Sequence, residues 1–355
     1  MHRAGAGGPF GLPARMGEMR YIVIEAGAVG GTIGGRLFES GHEVVLVARG
    51  PHLDALRAHG LRLATPDGTS TLRIPAIGAP GELELRDGDV LVLAVKTQDA
   101  EAVLAEWAWQ PVRGGPRGDS VAGQSLPVVC AQNGVASERF ALRRFRQVYG
   151  MCVWLPATHL EPGTVEAQGA PLAGLLHIGR YPSGTDAIAT RIGGDLAGSR
   201  FLAPVTAEVM RWKHGKLLSN LGNAIEAVCG HGAADTDPLT VLRRRAPAEG
   251  AAVLDAAGIA YASDEESAQV RGDRVGILPV NGSPRAGGSS WQSLTRGTGS
   301  IEADFLNGEI VLLGRERGMP TPVNEVLQWL ANRAARERRA PGSMTPGEVM
   351  ALIDA

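Results

Sequence analysis

The first strong pattern in the chain combines short apolar runs with one helical period. Residues 21–24 and 44–48 are apolar, largely β-branched runs long enough for buried strands, and residues 32–39 carry apolar positions at helical spacing. Gly27 and Gly30 lie between the first strand and the helix. Strand, glycine turn, helix and strand within about 30 residues place a helix N-terminus against the pyrophosphate of a dinucleotide. This stretch therefore predicts a dinucleotide-binding unit.

The glycine fingerprint of that unit is incomplete. The pattern G-x-G-x-x-G requires glycine at positions 25, 27 and 30, and the chain has Glu25, Gly27 and Gly30. The second glycine lets the backbone approach the phosphates, and the third lets helix and strand pack closely. We expect Gly27, Ala28, Val29 and Gly30 to contact the cofactor. A helix in some other α/β fold is the alternative.

Arg49 follows the second strand and indicates which dinucleotide is bound. An acidic residue at this position binds the ribose 2′-hydroxyl of NAD, whereas an arginine suits the 2′-phosphate of NADP. NADP is therefore the predicted cofactor, with an ordinary surface arginine as the alternative reading.

The alternation of helices and strands continues to about residue 180. Residues 53–60 and 99–109 have helical periods, and residues 61–77 resemble short strands. Residues 90–95 form a continuous apolar run, typical of a parallel strand covered on both faces, and Lys96 follows at its carboxyl end. Open α/β sheets bind ligands at that edge. Residues 111–126 have loop composition and are predicted to be a surface insertion.

A second polar residue follows the next strand. Residues 127–131 read as a buried strand, after which Asn133 precedes a glycine. Asn133 is either a second ligand-binding residue at the same sheet edge or a turn asparagine. Residues 148–154 read as a strand, and residues 155–180 as irregular short strands with turns at 162–163 and 169–170.

From about residue 204 the pattern becomes mostly helical. Helical periods cover 205–229, 238–258 and 301–317, and a last helix is predicted after Pro320 and Pro322. The predicted fold class is α/β, with an N-terminal Rossmann-type dinucleotide-binding domain over 19–203 and a C-terminal all-helical domain over 204–355. The cleft between them is a natural small-molecule site. Residues 1–18 are rich in Gly, Ala and Pro, which predicts a disordered tail or a translation start at Met16 or Met19.

Composition excludes several classes of partner. A formal net charge of −2 over 355 residues favours neither nucleic acid nor a membrane surface. No apolar run reaches the ~18 residues of a membrane span. The three cysteines lack metal-ligand spacing, so buried thiols in a reducing compartment are expected and no metal site is predicted. We expect a soluble, cytoplasmic protein.

Five motifs, in order, resemble those of the ketopantoate reductase (2-dehydropantoate 2-reductase) family. They are the EAGAVGGTIGGRL turn with Arg49, the strand-end Lys96, the QNG around Asn133, the KLLSN of residues 216–220, and SSWQSLTRGTGSIEADFLNGEI. The resemblance covers most of residues 20–330. It implies an enzyme of pantothenate and coenzyme A biosynthesis that reduces a small 2-oxo acid with NADPH, with a homodimer as a possible assembly.

The resemblance also implies residue roles. Lys216 is expected to be the general acid, Glu302 its partner in the catalytic site, and Asn220 a substrate-positioning residue. Ser290 is expected to contact the substrate carboxylate. Asn133 and Lys96 are expected to lie beside the nicotinamide. Asn133 is also expected to contact the substrate, and Glu302 the cofactor.

The chemistry supports a lysine in this position. Hydride transfer to a carbonyl carbon leaves negative charge on the oxygen, which an ammonium group can stabilise and protonate. If Glu302 held that ammonium, it would raise the lysine pKa, and burial would have to offset the rise. For Lys216, Glu302 and Ser290, a structural or surface role is the alternative in each case.

Two positions depart from the family pattern. A second asparagine is expected four residues after Asn220, but that residue is Ala224, with Asn223 beside it; the other departure is Glu25. Two alternatives therefore stay open: a related NADP-dependent reductase of another 2-oxo acid or ketone, and a non-catalytic protein that senses NADP.

Overall fold

The structure, a computed structural model, describes residues 19–115, 118–231 and 237–355. The predicted tail at 1–18 lies outside the described residues. The strands are β1 Arg20–Ile24, β2 Glu43–Val47, β3 Leu61–Thr65, β4 Gly68–Leu72, β5 Ala76–Ile77, β6 Leu85–Arg86, β7 Asp89–Leu93, β8 Pro111–Gly115, β9 Gly118–Val121, β10 Pro127–Cys130, β11 Gln147–Trp154, β12 Ala157–Thr158, β13 Thr164–Ala167, β14 Gly169–Pro171, β15 Leu175–Arg180 and β16 Val275–Ile277.

The α-helices are α1 Ala28–Glu39, α2 Gly50–His59, α3 Thr97–Ala108, α4 Ala122–Ser125, α5 Ser137–Leu142, α6 Ala187–Gly198, α7 Val209–Asn220, α8 Gly222–Cys229, α9 Asp237–Ala256, α10 Asp264–Arg271, α11 Ser289–Thr295, α12 Asn307–Arg317, α13 Pro322–Arg336 and α14 Pro346–Ile353. Short 3₁₀ turns cover Pro80–Glu82 and Glu302–Phe305.

The main sheet has the order β15-β11-β10-β7-β1-β2-β5 among the described strands. It is parallel except for β15, which runs antiparallel to β11. Successive residues of β1 pack on opposite faces: Tyr21 and Val23 join one hydrophobic core, and Ile22 and Ile24 join another. Because the chain leaves β1 towards β2 and later returns to β7 on the other side, the strand order reverses at β1 and β7. Ligands of open α/β sheets bind at such a reversal.

Helix α1 lies tightly between two sheets. It contacts β1 and β2 of the main sheet, and β3 and β13 of a smaller sheet of order β12-β13-β3-β4. A Cβ at Gly31 would lie 2.8 Å from a Val165 methyl group, and one at Gly34 would lie 2.7 Å from a Leu46 methyl group. These contacts are closer than real Cβ atoms allow, so glycine is needed on both sides of the helix. Its tight packing fixes where the N-terminus of α1 points.

The C-terminal part is built around helices α8, α9, α12 and α13, which share one hydrophobic core. Pro322 occupies the first turn of α13, as predicted. Two contacts fasten this part to the N-terminal part: β16 pairs antiparallel with β14 in a separate two-stranded sheet, and α7 packs on β11 of the main sheet. The buried ammonium of Lys213 on α7 also bonds the carboxylate of Glu138 and the carbonyl of Gln132. The predicted α/β fold with a helical second domain is confirmed, although β16 means that this domain is not all-helical.

Two local predictions were wrong. Residues 111–126 are not a loop insertion, because β8 and β9 pair as antiparallel strands beside β6 and are followed by α4. Val112 and Leu126 are buried there, so a few apolar residues anchor a segment whose glycines hide its strand character. Residues 169–170 belong to β14 rather than a turn.

The helical part also differs in detail from the prediction. The helix expected over 205–229 is interrupted at Leu221, and the one over 301–317 begins as a 3₁₀ turn before α12. A further helix, α14, follows α13; its Thr345–Glu348 capping box fixes its start.

Candidate active site

A cavity of about 340 Å³ opens at the strand reversal. We call it the strand-edge cavity. Its walls are the turn after β1, the loops after β7 and β10, and α11 with the segment that follows. The lining residues are Glu25, Gly27, Ala28, Val29, Arg49, Ala94, Val95, Lys96, Gln98, Asp99, Ala131, Gln132, Asn133, Ser289, Gln292, Ser293, Arg296, Thr298, Ser300 and Glu302.

The glycine turn places the N-terminus of α1 at this cavity. Gly30 packs under the turn, where a Cβ would lie 2.1 Å from the carbonyl oxygen of Glu25, so no other residue fits. Glu25 itself has φ 79°, in the left-handed region that favours glycine. Its carboxylate lies 3.9 Å from the guanidinium of Arg49. The residue that replaces the first glycine of the fingerprint therefore keeps the glycine conformation and adds a negative charge to the cavity.

Lys96 and Glu302 form an ion pair across the cavity. Lys96 Nζ lies 3.0 Å from Glu302 Oε2 and donates to Ser293 Oγ at 3.0 Å. The other oxygen of Glu302 accepts from the backbone N–H of Thr97 at 3.0 Å and from its hydroxyl at 3.1 Å. Thr97 is the first residue of α3, so the carboxylate also meets the positive end of that helix. The prediction that Glu302 holds Lys216 is wrong, because its contacts are with Lys96 and Thr97.

Asn133 joins the two parts of the chain. Its Oδ1 accepts a hydrogen bond from Asn220 Nδ2 on α7 at 3.1 Å, and its carbonyl accepts from Thr97 Oγ1 at 3.3 Å. Gly134 follows with φ 74°, and a Cβ there would lie 2.9 Å from the carbonyl of Phe305. The asparagine–glycine pair is therefore a turn whose asparagine also lines both cavities, so the two readings of Asn133 do not exclude each other.

A second cavity of about 270 Å³ adjoins the first. We call it the Lys216 cavity. It shares Ala28, Val29, Asn133, Ser289 and Gln292 with the strand-edge cavity, so the two are continuous. Its other lining residues are Val153, Trp154, Leu155, Pro156, Ala157, Lys216, Asn220, Asn223, Glu226, Ile277, Arg285 and Gly288.

Lys216 is the polar group that gives this cavity its chemistry. Burial lowers the pKa of Lys216 below its ordinary value, and the nearby positive charges of Arg285 and Arg271 lower it further. The Cys152 thiol and Asp264 act in the opposite direction. No ion pair or hydrogen bond joins the Lys216 ammonium to another side chain in the part of the chain that the structure describes. Lys216 is thus an acid of reduced pKa that faces open space.

The other predicted substrate-binding residues fall in different places. Asn220 lines the Lys216 cavity one helical turn from Lys216. Ser290 is buried, with 3% of its surface exposed, and lines neither cavity; the adjacent Ser289 lines both. The short helix α11 begins at Ser289, and that register decides which of the two serines faces the cavity.

The structure accounts for the absence of an asparagine at position 224. Ala224 is buried in the helical core, whereas Asn223 lines the Lys216 cavity beside Asn220. The interruption at Leu221 separates α7 from α8, so the spacing of four residues along one helix no longer determines which residue faces the cavity. Asn223 donates towards Ser289 Oγ at 3.5 Å. An amide is therefore supplied by the neighbouring position.

Sequence reasoning missed several polar residues of the site, three of which bear directly on its charge and hydrogen bonding. Arg285 lines the Lys216 cavity, and Arg296 and Gln132 line the strand-edge cavity. Arg285 and Arg296 lie in glycine-rich stretches with no period, which gave no signal. Gln132 stands between a strand and Asn133, so its place at the sheet edge was predictable from position alone.

The strand-edge cavity fits a phosphorylated dinucleotide. It combines a glycine turn at a helix N-terminus with the cationic groups of Arg49, Lys96 and Arg296. Both side-chain amide atoms of Gln132 are buried and have no partner among the described residues, which leaves a donor and an acceptor for a bound ligand.

Two further features bear on cofactors and location. Across the described ranges, no group of three or more His, Cys, Asp or Glu side chains is arranged to hold a metal ion. None of the helices in those ranges combines the length and apolar character that crossing a membrane requires.

Comparison with family models gives two matches. The model described as "Ketopantoate reductase PanE/ApbA" matches residues 21–183, and the model described as "Ketopantoate reductase PanE/ApbA C terminal" matches residues 208–335. Together they span the turn after β1, both cavities and the helices from α7 to nearly the end of α13.

Individual proteins are similar over nearly the whole chain. The 2-dehydropantoate 2-reductase of Pyrococcus horikoshii is 25% identical over 329 residues, covering 92% of this chain and 100% of that protein. A PanE/ApbA family ketopantoate reductase from Ralstonia eutropha has a similar crystal structure, with a TM-score of 0.71, 25% identity, and coverage of 90% of this chain and 99% of that one. A ternary structure of D-mandelate dehydrogenase with NADH and anilino(oxo)acetate has a TM-score of 0.74 at 21% identity, covering 91% and 100%. The last similarity concerns the fold alone.

Proposed function

Because the chain belongs to the ketopantoate reductase family, we propose that it reduces 2-dehydropantoate to pantoate with NADPH, a step of pantothenate and coenzyme A biosynthesis. Family membership confirms the predictions of an NADP-dependent oxidoreductase and of NADPH as its cofactor. The observation that carries the proposal is the position of Lys216, which faces a small cavity continuous with the cavity at the glycine turn.

The strand-edge cavity is the cofactor site in this proposal. The N-terminus of α1 at Gly27, Ala28 and Val29 would bind the pyrophosphate, and Arg49 the 2′-phosphate. Asn133 lines both cavities, at the side where the reactive end of the dinucleotide would lie, and Lys96 lines the strand-edge cavity. When bound, NADPH supplies the hydride that reduces the carbonyl carbon.

Lys216 would stabilise and protonate the substrate oxygen. Negative charge develops on that oxygen as the carbon is reduced, and a partly buried ammonium group stabilises this charge more than water does. The lowered pKa makes Lys216 a stronger acid than a surface lysine. Asn220 stands one turn away on the same helix and, through its bond to Asn133, is held towards the cofactor side.

Glu302 would act on the cofactor side of the reaction. By bonding Lys96 and the first turn of α3, it fixes the lysine that lines the strand-edge cavity. Its contacts with Lys96 and Thr97 also join the second part of the chain to the sheet. We therefore assign Glu302 to cofactor-site geometry rather than to the proton donor.

The remaining predictions on organisation stay proposals. We propose a boundary near residues 203–204 between the dinucleotide-binding and helical domains, and a cytoplasmic location in keeping with a biosynthetic enzyme. The possible homodimer stays a prediction.

Steady-state oxidation of NADPH with 2-dehydropantoate tests the function. Rapid turnover with this substrate, and much slower turnover with a panel of other 2-oxo acids and ketones, would support it. Turnover restricted to another member of the panel would favour a reductase of different specificity. Tight NADPH binding without turnover of any compound would favour a sensor and overturn the proposal.

A further inference from the structure

Arg285 is the one arginine that lines the Lys216 cavity in the described structure. It lies in the irregular segment 284–288, which follows the bridge between Val280 and Ser283 and precedes α11. We propose that Arg285 binds the carboxylate of the 2-oxo acid substrate and thereby selects for acids over simple ketones. This inference rests on the proposed function and extends it to the recognition of one substrate group.

The guanidinium of Arg285 is available for an anion. Its Nε is buried without a hydrogen-bond partner, and no ion pair within the described ranges includes it. Burial lowers the pKa of Arg285, which reflects the cost of keeping its charge away from water. An arginine presents parallel N–H groups that match a carboxylate in two-point geometry. A substrate carboxylate would satisfy these donors and compensate the buried charge.

The acidic group whose charge acts on Arg285, Glu226, is already engaged elsewhere. Glu226 lines the same cavity, but its Oε2 accepts from the backbone N–H of Gly288 at 2.9 Å and its Oε1 lies 2.5 Å from Nδ1 of His231. A Cβ at Gly288 would lie 2.3 Å from Glu226 Oε2, so a larger residue there would displace the carboxylate from its present position. Glu226 therefore anchors the end of the segment, while Arg285 has no hydrogen-bond or ion-pair partner among the described residues.

The side chain of Gln292 fixes the same segment from the other side. Gln292 Nε2 on α11 donates to the carbonyl of Gly287 at 3.1 Å and to that of Ala157 at 3.2 Å. Residues 287–288 are thus tied to both α11 and α8. Arg285, two residues earlier, is carried by a backbone whose position is fixed by these contacts.

The chemistry of a 2-oxo acid requires two cationic or donor groups close together. The carboxylate carbon is bonded directly to the ketone carbon, so one small molecule brings both oxygens to neighbouring positions. Lys216 and Arg285 line one cavity of about 270 Å³, and the positive charge of Arg285 contributes to the lowered Lys216 pKa. Lys216 at the ketone and Arg285 at the carboxylate therefore fit a single substrate. Ser290, the residue first expected at the carboxylate, does not line the cavity.

The test compares Arg285→Gln and Arg285→Lys with the wild type, and Arg271→Gln is the matched control. Arg271 also lowers the Lys216 pKa but does not line the cavity; its guanidinium stacks 4.5 Å from the Trp154 ring. Each protein is assayed with 2-dehydropantoate and with its neutral primary amide, and pantoate binding to the NADP complex is measured by calorimetry.

We expect Arg285→Gln to raise the KM for the acid and the Kd for pantoate by ~10²-fold or more, the loss expected when a buried carboxylate loses its charged partner. The KM for the acid and the Kd for pantoate of Arg285→Lys should lie between those of Arg285→Gln and those of the wild type. The KM for the amide and the affinity for NADPH should be unchanged in Arg285→Gln, and Arg271→Gln should keep near wild-type KM for the acid.

Each contrary outcome has a distinct meaning. Wild-type KM and pantoate affinity in Arg285→Gln, or an equal loss for acid and amide, would overturn the assignment while the proposed function stands. Pantoate binding that depends on Arg285 without turnover would support the assignment and overturn the function. A wild type that neither turns over 2-dehydropantoate nor binds pantoate would overturn both.

Discussion

Replacing Glu25 by glycine should tighten the binding of NADPH by about ten-fold. Glu25 lines the strand-edge cavity at the first position of the glycine fingerprint, and its carboxylate lies 3.9 Å from Arg49, the residue proposed to bind the 2′-phosphate. The side chain of Arg49 is 71% exposed and that of Glu25 is 31% exposed, so the ion pair itself contributes at most ~1 kcal/mol. The larger effect is repulsion between the carboxylate and the cofactor phosphates.

The magnitude follows from Coulomb's law. A carboxylate ~6 Å from a phosphate charge costs ~2.8 kcal/mol at an effective dielectric constant of about 20, and ~0.7 kcal/mol in bulk water. At ~1.4 kcal/mol per ten-fold change, these limits correspond to a ~3-fold and a ~100-fold gain in affinity. The partial exposure of Glu25 places the expected value between them. NADPH should gain more than NADH, because the variant also frees Arg49 for the 2′-phosphate.

The backbone of Glu25 makes a second variant necessary. Its φ of 79° costs a non-glycine residue ~1 kcal/mol, which glycine relieves. Glycine also loses more conformational freedom on folding, so the net change in the free energy of unfolding is small. Glu25→Gln removes the charge and keeps the Cβ. If charge is the cause, Glu25→Gln should recover most of the gain in affinity seen in Glu25→Gly.

Fluorescence titration of NADPH and NADH against the three proteins, at low and high salt, decides the question. The advantage of Glu25→Gly should shrink at high salt, because screening weakens the repulsion. Kd values for NADPH that agree within about two-fold, roughly 0.4 kcal/mol, would refute the reasoning. A gain in Glu25→Gly that is absent from Glu25→Gln would attribute the effect to the backbone instead.

Three further predictions concern the proposed reaction. Lys216→Ala should lower kcat by ~10²-fold or more while leaving the Kd for NADPH nearly unchanged, because a proton donor acts mainly in the transition state; a variant with wild-type kcat would exclude Lys216 as the acid. Arg49→Ala should weaken NADPH by ~1.5–3 kcal/mol and NADH much less, and equal losses would show that Arg49 does not bind the 2′-phosphate. The rate of reduction should fall with rising pH as Lys216 loses its proton, and the lowered Lys216 pKa should place this fall at lower pH than for an ordinary lysine. In Arg285→Gln this fall in rate should occur at higher pH, because one of the charges that lowers the Lys216 pKa is removed. A pH–rate profile that does not shift would contradict the assignment of the fall to Lys216.

The elements that the sequence predicted correctly are those with a strong local signal. Strands β1, β7 and β10 are continuous apolar runs because both faces of the sheet are covered, and Gly27 and Gly30 mark the turn before α1. The carboxyl ends of these neighbouring strands then bring Lys96 and Asn133 to one cavity. Position along a strand was therefore enough to locate the cofactor side of the site.

The errors lie where structure depends on contacts that no local period encodes. Strand β8 is recognisable only through its pairing with β6 and β9, since its own sequence is rich in glycine. Ser289 and Ser290 exchange roles with a shift of one residue in α11, and a period of 3.6 cannot set that register in a seven-residue helix. Arg285 lies in a segment with no period, and the bonds of Glu226 and Gln292 fix the backbone two to three residues after it.

The partner of Glu302 shows how one such contact changes the predicted chemistry. A carboxylate on Lys216 would raise the pKa of the proposed acid and make it weaker, whereas the structure joins Glu302 to Lys96, 206 residues away in the sequence. Burial is then the largest influence on the pKa of Lys216 and lowers it. Cys152 and Asp264 oppose this effect, whereas the positive charges of Arg285 and Arg271 add to it. A substrate carboxylate on Arg285 would partly neutralise one of those charges and raise the Lys216 pKa on binding, so the lysine would hold its proton more firmly once a 2-oxo acid is in place. Recognition of the acid and protonation of the ketone would then be coupled through the same pair of cations.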